Sequence, residues 1–270
     1  MSDAEYRKRG AAFQDEDVVR AYAHRPDYPP ALFEALLARI PGRHLALDLG
    51  TGPGKIAGRL APPFKRVDAL DPSAAMLDAA RKNWPAKNIN WICARAEDAQ
   101  LAPAYDLITA GAAIHWMAPE LTFPKIARHL APGARLAIIG GSVGGALGAR
   151  EAPWKDEWGV FADRWMPQDG SAYDRSRQGA VRTLVLRWLD IDERLSFDHE
   201  VRQTIPEFLE NQHSHSIWAR ARLGAKTMDF DDEATALLTP FASEGVLTYT
   251  VATRLTLGNP RTTPKEAVNE

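Results

Sequence analysis

An apolar run that breaks into evenly spaced glycines constrains this chain more than any other feature in it. Residues 45–54 read Leu-Ala-Leu-Asp-Leu-Gly-Thr-Gly-Pro-Gly, so a strand-like stretch containing Asp48 runs straight into Gly50, Gly52 and Gly54. A buried strand, a tight turn and then a helix over Gly54 to Leu60 would read this way. Glycines at such a turn permit φ > 0 and let a ligand approach the backbone closely. The helix start that follows offers free N–H groups to something polar. The natural reading is a small-molecule cofactor sitting over the end of a parallel sheet.

Three glycine-loop chemistries compete, and spacing separates them. A dinucleotide fingerprint begun at Gly50 needs glycine at position 55, where Lys55 stands. Begun at Gly52 it needs glycine at 57, where the chain has Ala57, a tolerated variant. A P-loop ending in Gly54-Lys55 needs glycine at 49 and Ser or Thr at 56, and Leu49 and Ile56 fail both conditions. The third pattern, G-x-G-x-G with an aspartate two residues before its first glycine, resembles motif I of the class I S-adenosylmethionine (AdoMet) methyltransferases.

The next segment adds an acid in the right place. Lys65 to Asp71 reads as a second strand, and Pro72-Ser73 opens a helix over Ala74 to Asn83. An acidic residue about 20 positions beyond a glycine loop is placed to accept hydrogen bonds from two ribose hydroxyls. Asp71 suits that role, whereas Asp68 falls inside the strand. The plainer alternative makes Asp71 an N-cap. Further strands are expected at Asn88 to Ala94, Tyr105 to Ala110 and Ala134 to Gly140, with a helix over Ala118 to Leu130. Strand and helix alternating to about residue 142 indicate a doubly wound parallel sheet. Ligands in such sheets bind beyond the carboxyl ends of the strands, where Gly50, Asp71, Ala96 and Ala110 fall.

A longer series narrows the resemblance. Phe13, Val18-Val19-Arg20-Ala21-Tyr22 and Arg25-Pro26-Asp27-Tyr28-Pro29 precede the glycine loop. Asp71-Pro72-Ser73-x-x-Met76-Leu77, Ala96-Glu97 and Ala113-Ile114-His115-Trp116 follow it. Over roughly residues 13–142 this series resembles the small-molecule methyltransferases related to trans-aconitate methyltransferase and the methyltransferase type 11 group. The resemblance implies an α/β, doubly wound, Rossmann-like seven-stranded sheet with a helical cap inserted after the fifth strand and an antiparallel final strand. It implies AdoMet as cofactor, held by Tyr22, Arg25, Asp48, Gly50, Thr51, Gly52, Gly54, Asp71, Pro72, Met76, Ala96, Glu97, Ala110 and Ala112. Tyr22 belongs to a lid over the cofactor's methionine part. Two positions depart from the family: Thr51 stands where many relatives carry cysteine, and Arg95 where several groups place an acid near the adenine. The second shifts the expected adenine contact to the backbone of Ala96 and Glu97.

Global properties exclude several classes. The 270 residues carry a net charge of −2 with pI near 6.4, which gives no electrostatic case for a nucleic-acid partner. The single cysteine, Cys93, is expected inside a buried strand; no disulfide or cysteine metal site is possible within one chain, which fits a reducing cytoplasm. The polar N-terminus reads as no signal peptide, and no apolar run approaches a membrane span of about 18 residues. The first dozen residues and Asn259 to Glu270 read as loosely ordered.

From about residue 143 the composition changes. Gly144 to Gly148 reads as a flexible exit from the fifth strand, and Trp154, Trp158, Trp165, Trp188 and Trp218 follow. Residues 143–190 are expected to be a helical insertion, with Glu151 to Trp165 and Ser176 to Asp190 at helical spacing. More helix is expected at Pro206 to Leu223 and Asp231 to Glu244, and strands at Ser196 to Thr204 and Val246 to Leu257. This gives an AdoMet-binding core with its lid over 1–142, a cap and substrate region over 143–240, and a final core strand and tail over 241–270. Most of the tryptophans are expected to pack helices together, with one or two lining a pocket.

His115, after the fourth strand, is the candidate general base, although the His-Trp pair recurs in the resembled family across enzymes with differing substrates, which favours a positioning role. Trp116, His213, His215 and Trp218 are the candidate substrate contacts. His213 and His215, two apart on a helix, face different ways, so a metal pair is not expected. The resulting expectation is a cytoplasmic enzyme transferring the AdoMet methyl group in line to an O, N or C atom of a small molecule, with no metal. The alternatives are a non-methylating reaction on the same scaffold, such as cyclisation, and a non-catalytic AdoMet-binding module.

Overall fold

The computed structural model describes Tyr6 and residues 15–140, 149–166 and 186–266. The expectations for Phe13, for most of the loosely ordered N-terminus, for Gly144 to Gly148 and for residues 176–185 lie outside the described residues.

The chain enters through α1 (Glu16–Ala21), a 3-10 turn (Tyr22–His24) and α2 (Pro30–Ala38). Then β1 (Leu45–Leu49), α3 (Lys55–Leu60), β2 (Arg66–Asp71), α4 (Ala74–Asn83) and β3 (Ile89–Cys93) wind one half of a sheet. The other half follows as β4 (Tyr105–Gly111), a 3-10 turn (Ile114–Trp116), α5 (Pro119–His129) and β5 (Leu130–Gly140). These five strands are parallel, in the order β3-β2-β1-β4-β5. Their central strands are apolar on both faces because both are covered. Ala46, Ala69 and Leu107 pack with Leu32, Leu36, Ile56 and Leu60 on one side. Leu47, Leu70 and Ile108 pack with Phe123 and Ile126 on the other.

Beyond β5 come β6 (Ala149–Glu151), α6 (Lys155–Arg164), β7 (Leu189–Thr204), α7 (Ile205–His213), α8 (Arg220–Leu223), α9 (Thr227–Leu238) and β8 (Val246–Pro260). The last strand is antiparallel to β5, β6 and β7, and holds them together. Because β7 pairs along the whole of β8, from Thr204 opposite Val246 to Leu189 opposite Pro260, β5 and β6 must share its other edge. Gly140, the end of β5, lies opposite Arg254, itself opposite Ser196. Residues 197–204 and 246–253 therefore overshoot the parallel sheet on its carboxyl side. A third core gathers on this overhang: Trp154, Trp158, Phe161, Phe208, Trp218, Phe230, Leu247 and Tyr249.

Several expectations are corrected here. Among the described residues the sheet has eight strands, since short β6 joins the seven expected. β7 begins at Leu189, inside the stretch read as helix, because its partner β8 supplies a complete hydrogen-bonding edge down to Pro260. The helix expected over Pro206 to Leu223 breaks after His213, where the chain turns so that the His213 Nδ1 meets the Trp218 carbonyl at 2.8 Å. The next helix spans Thr227–Leu238, ahead of the expected Asp231 to Glu244. Asn259 and Pro260 belong to β8, and the Arg261 and Lys265 N–H groups donate to the Trp188 and Arg187 carbonyls, so this part of the tail is fastened. Cys93 is exposed, not buried, because it is the last residue of an edge strand.

Candidate functional site

The glycine loop follows β1 directly, and all three of its glycines adopt positive φ: 62° at Gly50, 52° at Gly52 and 84° at Gly54. Two of them show why. A Cβ on Gly50 would lie 2.6 Å from the Ala113 Cβ, so the loop packs against the turn after β4. A Cβ on Gly52 would have one neighbouring side chain within 4 Å, the Tyr22 ring at 4.0 Å. The loop is therefore crowded from below and open above Gly52, beneath an aromatic from the N-terminal turn. That cradle is shaped for a ligand lying against bare backbone.

Asp48 shapes the loop from underneath. Its buried carboxylate accepts from the hydroxyls of Thr51 and Thr109, both at 2.6 Å, tying the loop to β4. Burial pushes its carboxyl up to about 6, against the opposing effect of those hydrogen bonds. Thr51 thus serves Asp48, and neither side chain is aimed at the open space.

Asp71 ends β2 and is buried. Its carboxylate accepts from the N–H groups of Gly52 and Ser73, each at 2.8 Å. It is therefore not the N-cap of α4; Ser73 is, accepting from the Met76 N–H at 3.2 Å. Among the described residues no cation pairs with Asp71, and burial raises its pKa against the pull of the two N–H bonds. A carboxylate offers about four acceptor positions, so two backbone bonds leave roughly half its capacity for a ligand. Pro72 is exposed beside it and Met76 is buried in the first turn of α4.

The turn after β3 holds Ala96 buried, while the Glu97 carboxylate receives the Ala118 N–H at 2.7 Å and faces Arg95 at 3.2 Å. The Glu97 side chain thus caps α5 and its carbonyl accepts from Lys125 Nζ at 2.9 Å, which leaves its N–H and the backbone of Ala96 at the sheet edge. Ala110 is buried at the end of β4, and Ala112 turns away from the strand with φ 49°. His115 is exposed, its ring tilted against Trp116 with centroids 4.8 Å apart.

Three assigned residues stand elsewhere. Arg25 is buried, with its guanidinium 3.8 Å above the Tyr22 ring and directed at the end of α7: Nε donates to Ser214 Oγ at 2.7 Å and Nη2 to the Ser214 carbonyl at 2.8 Å. Both His213 ring nitrogens are engaged, by the Trp218 carbonyl and by Asp231, each at 2.8 Å, which leaves none for a substrate. Trp218 is fully buried and donates from Nε1 to the Trp165 carbonyl, so it is a core side chain like Trp154 and Trp158. Of the proposed substrate contacts, Trp116 and His215 remain partly exposed.

Ser214, Gln203 and Lys55 were not singled out as functional from the sequence, yet they fix the N-terminal turn at His24 and Arg25. Gln203 Nε2 donates to the His24 carbonyl at 2.6 Å, and Lys55 Nζ to the Arg25 carbonyl at 2.5 Å while pairing with Asp27 at 2.8 Å. Lys55 had figured only in the glycine-loop comparison, as a mismatch to the dinucleotide pattern and a match to the P-loop lysine. A groove of about 400 Å³ between residues 23–30 and β7 lies apart from Gly50, Asp71 and His115.

Comparison with known proteins agrees with this geometry. The methyltransferase domain family, Methyltransf_11, matches residues 47–138, from the middle of β1 to near the end of β5. An uncharacterized methyltransferase of Mycobacterium tuberculosis is 34% identical over 134 residues, covering 49% of this chain and 54% of the relative. A trans-aconitate 2-methyltransferase of Azoarcus sp. is 40% identical over 108 residues, covering 38% and 42%. The chain spans about half the length of the curated relatives it matches. Among solved structures, a protein assigned as a Type II methyltransferase from Anaeromyxobacter dehalogenans aligns with a TM-score of 0.65 at 26% identity, over 89% of this chain and 99% of that one. With its glycine loop, its acid at the end of β2 and its closing antiparallel strand, the chain has the Rossmann-like fold of the class I methyltransferases, and its residues 47–138 are similar to the methyltransferase domain family.

Proposed function

We propose that the chain is an S-adenosylmethionine-dependent methyltransferase acting on a small-molecule acceptor. The observation that carries this is Asp71, a buried carboxylate with no cationic partner among the described residues, oriented by the Gly52 and Ser73 N–H groups next to an open glycine loop. Those residues fit the cofactor: Asp71 would accept the ribose hydroxyls, and Gly50 to Gly54 would lie along the methionine part under Tyr22. Pro72, Met76 and the backbone of Ala96 and Glu97 would flank the adenine, with Ala110 and Ala112 closing the floor. When bound, the cofactor supplies a methyl group already activated on a sulfonium.

What remains for the chain is to hold an acceptor in line at a near-attack distance of ~3–3.5 Å and to keep water out. Tyr22 and the described part of the overhang, residues 149–166 and 197–240, would supply walls for such a site. His115 and Trp116 stand at the turn after β4, where donor and acceptor would meet; we assign His115 a positioning role there. A small-molecule acceptor is supported by the trans-aconitate 2-methyltransferase among the relatives and is in keeping with a chain of net charge −2. No described helix is long and apolar enough to cross a membrane, and a cytoplasmic setting is part of this proposal.

Calorimetry with AdoMet tests the first half: no heat of binding would sink the reading. Incubating the protein and AdoMet with metabolite pools, and searching by mass spectrometry for a gain of one methylene, tests the second. AdoMet binding without any methylated product would favour a non-methylating reaction.

A further inference from the structure

We propose that Arg25 is a positioning residue that clamps the lid turn Tyr22–His24 to the end of α7, so that covering the cofactor and ordering the cap are a single event. This rests on the cofactor reading above and goes beyond it, because it takes Arg25 out of the cofactor contacts and gives it a mechanical role.

Arg25 is a buried cation, and among the described residues no carboxylate pairs with it. Burying a charge without a counter-charge is costly unless hydrogen bonds replace its hydration. Here the replacement is neutral and geometric: two donors of one fork grip the hydroxyl and the carbonyl of the same residue, Ser214, while the flat face lies on Tyr22. A planar guanidinium makes both bonds in a fixed fork while stacking on the ring; an ammonium has no flat face with which to do the same. Burial lowers the Arg25 pKa in keeping with that uncompensated position.

Both ends of the clamp are informative. Ser214 is fully buried at the C-cap of α7, and its hydroxyl donates onward to the Asn211 carbonyl at 2.5 Å, so it moves only with the helix. Tyr22 is the ring that overhangs Gly52. The path Tyr22, Arg25, Ser214 and α7 therefore runs by direct contacts from the ring above the glycine loop to the cap. Two further bonds brace it, from Lys55 at the start of α3 to the Arg25 carbonyl and from Gln203 on β7 to the His24 carbonyl. Whatever fixes the Tyr22 ring fixes the plane of Arg25, and with it the end of α7.

The test is amide hydrogen exchange on the full chain with S-adenosylhomocysteine as the probe. In the wild type the probe should slow exchange several-fold at 50–54 and 69–73, and also at 205–218, which the cofactor need not touch. In Arg25→Lys, protection at 50–54 and 69–73 should persist while the added protection at 205–218 disappears. Ser214→Ala, which removes one acceptor and keeps the guanidinium, should reduce the same protection and leaves the test intact if Arg25→Lys fails to fold. Wild-type protection confined to the glycine loop and Asp71, or protection of 205–218 that survives both substitutions, would overturn the clamp while leaving the cofactor reading standing. Absence of any protection at 50–54 and 69–73 would overturn the cofactor reading and the clamp with it.

Discussion

The two ends of this molecule are held by different means. At the glycine loop, side chains within a few residues of one another, or on neighbouring parallel strands, fix each other: Asp48 with Thr51, Ser73 with Met76, Asp71 with Gly52. In the overhang, packing and long-range contacts do the same work: Trp154 with Phe208 and Tyr249, Trp165 with Glu233, Arg25 with Ser214. The loop end thus behaves as a local motif, and the overhang as a core assembled by long-range packing. The family match ending at residue 138 falls on the same division.

The largest test of that division is Trp154→Ala. This side chain is fully buried among Phe208, Phe241 and Tyr249, and its truncation should cost about 3–5 kcal/mol of stability in the overhang. If the two regions are energetically distinct, urea unfolding followed by exchange should show the loss at 149–166 and 205–241, with AdoMet affinity changed far less. A uniform loss across the sheet would merge them into one unit.

Next comes Asp48. Its folded pKa of about 6 lies above the ordinary carboxylate value of 3.8, so the native state binds the proton more tightly than the unfolded chain. Stability should therefore fall as pH rises from about 4 to 6 and level off above, by up to about 3 kcal/mol from this group. Asp48→Asn should flatten that fall, read as urea midpoints across pH 4–7. An unchanged slope would show that Asp48 is not its source.

Asp71→Ala should weaken AdoMet binding by about 2 kcal/mol or more, measured by calorimetry. Thr204→Ala removes the capping box of α7, in which Thr204 and Glu207 bond each other's backbone, and should cost about 1 kcal/mol, confined to the overhang. The smallest effect is expected at His115. If it positions the acceptor, His115→Asn should keep near-normal turnover and a flat pH profile between about 6 and 8. If it is the base, turnover should drop by ~10²–10⁴ and the wild-type rate should rise near pH 6.5.

What could be read from the chain follows the same line. Strands β1 to β5 and helix α4 lie within about two residues of expectation, apart from the early start of β5 at Leu130, because each is announced by its own apolar run and turn residues. Asp71 was legible because its interval from Gly50 is set by one helix and one strand. The start of β7 was not, since Leu189 to Leu195 become strand through a partner some 60–70 residues later, at Leu255 to Pro260. His213 and Trp218 read as substrate contacts because polarity and aromaticity do not reveal burial; only the fold shows Asp231 and Trp165 engaging them. The Arg25–Ser214 pair, 189 residues apart, leaves no local signal.

The position of β8 has a consequence for how the protein is made. It is the last strand of the sheet to leave the ribosome, and β5, β6 and β7 each wait for it as their antiparallel partner. Until residues 246–260 emerge, the nascent chain exposes three unpaired strand edges and an open aromatic core, the kind of surface on which chains aggregate. Synthesis interrupted before Val246 should yield a product bound for chaperones or proteases, even with the complete glycine loop already in place.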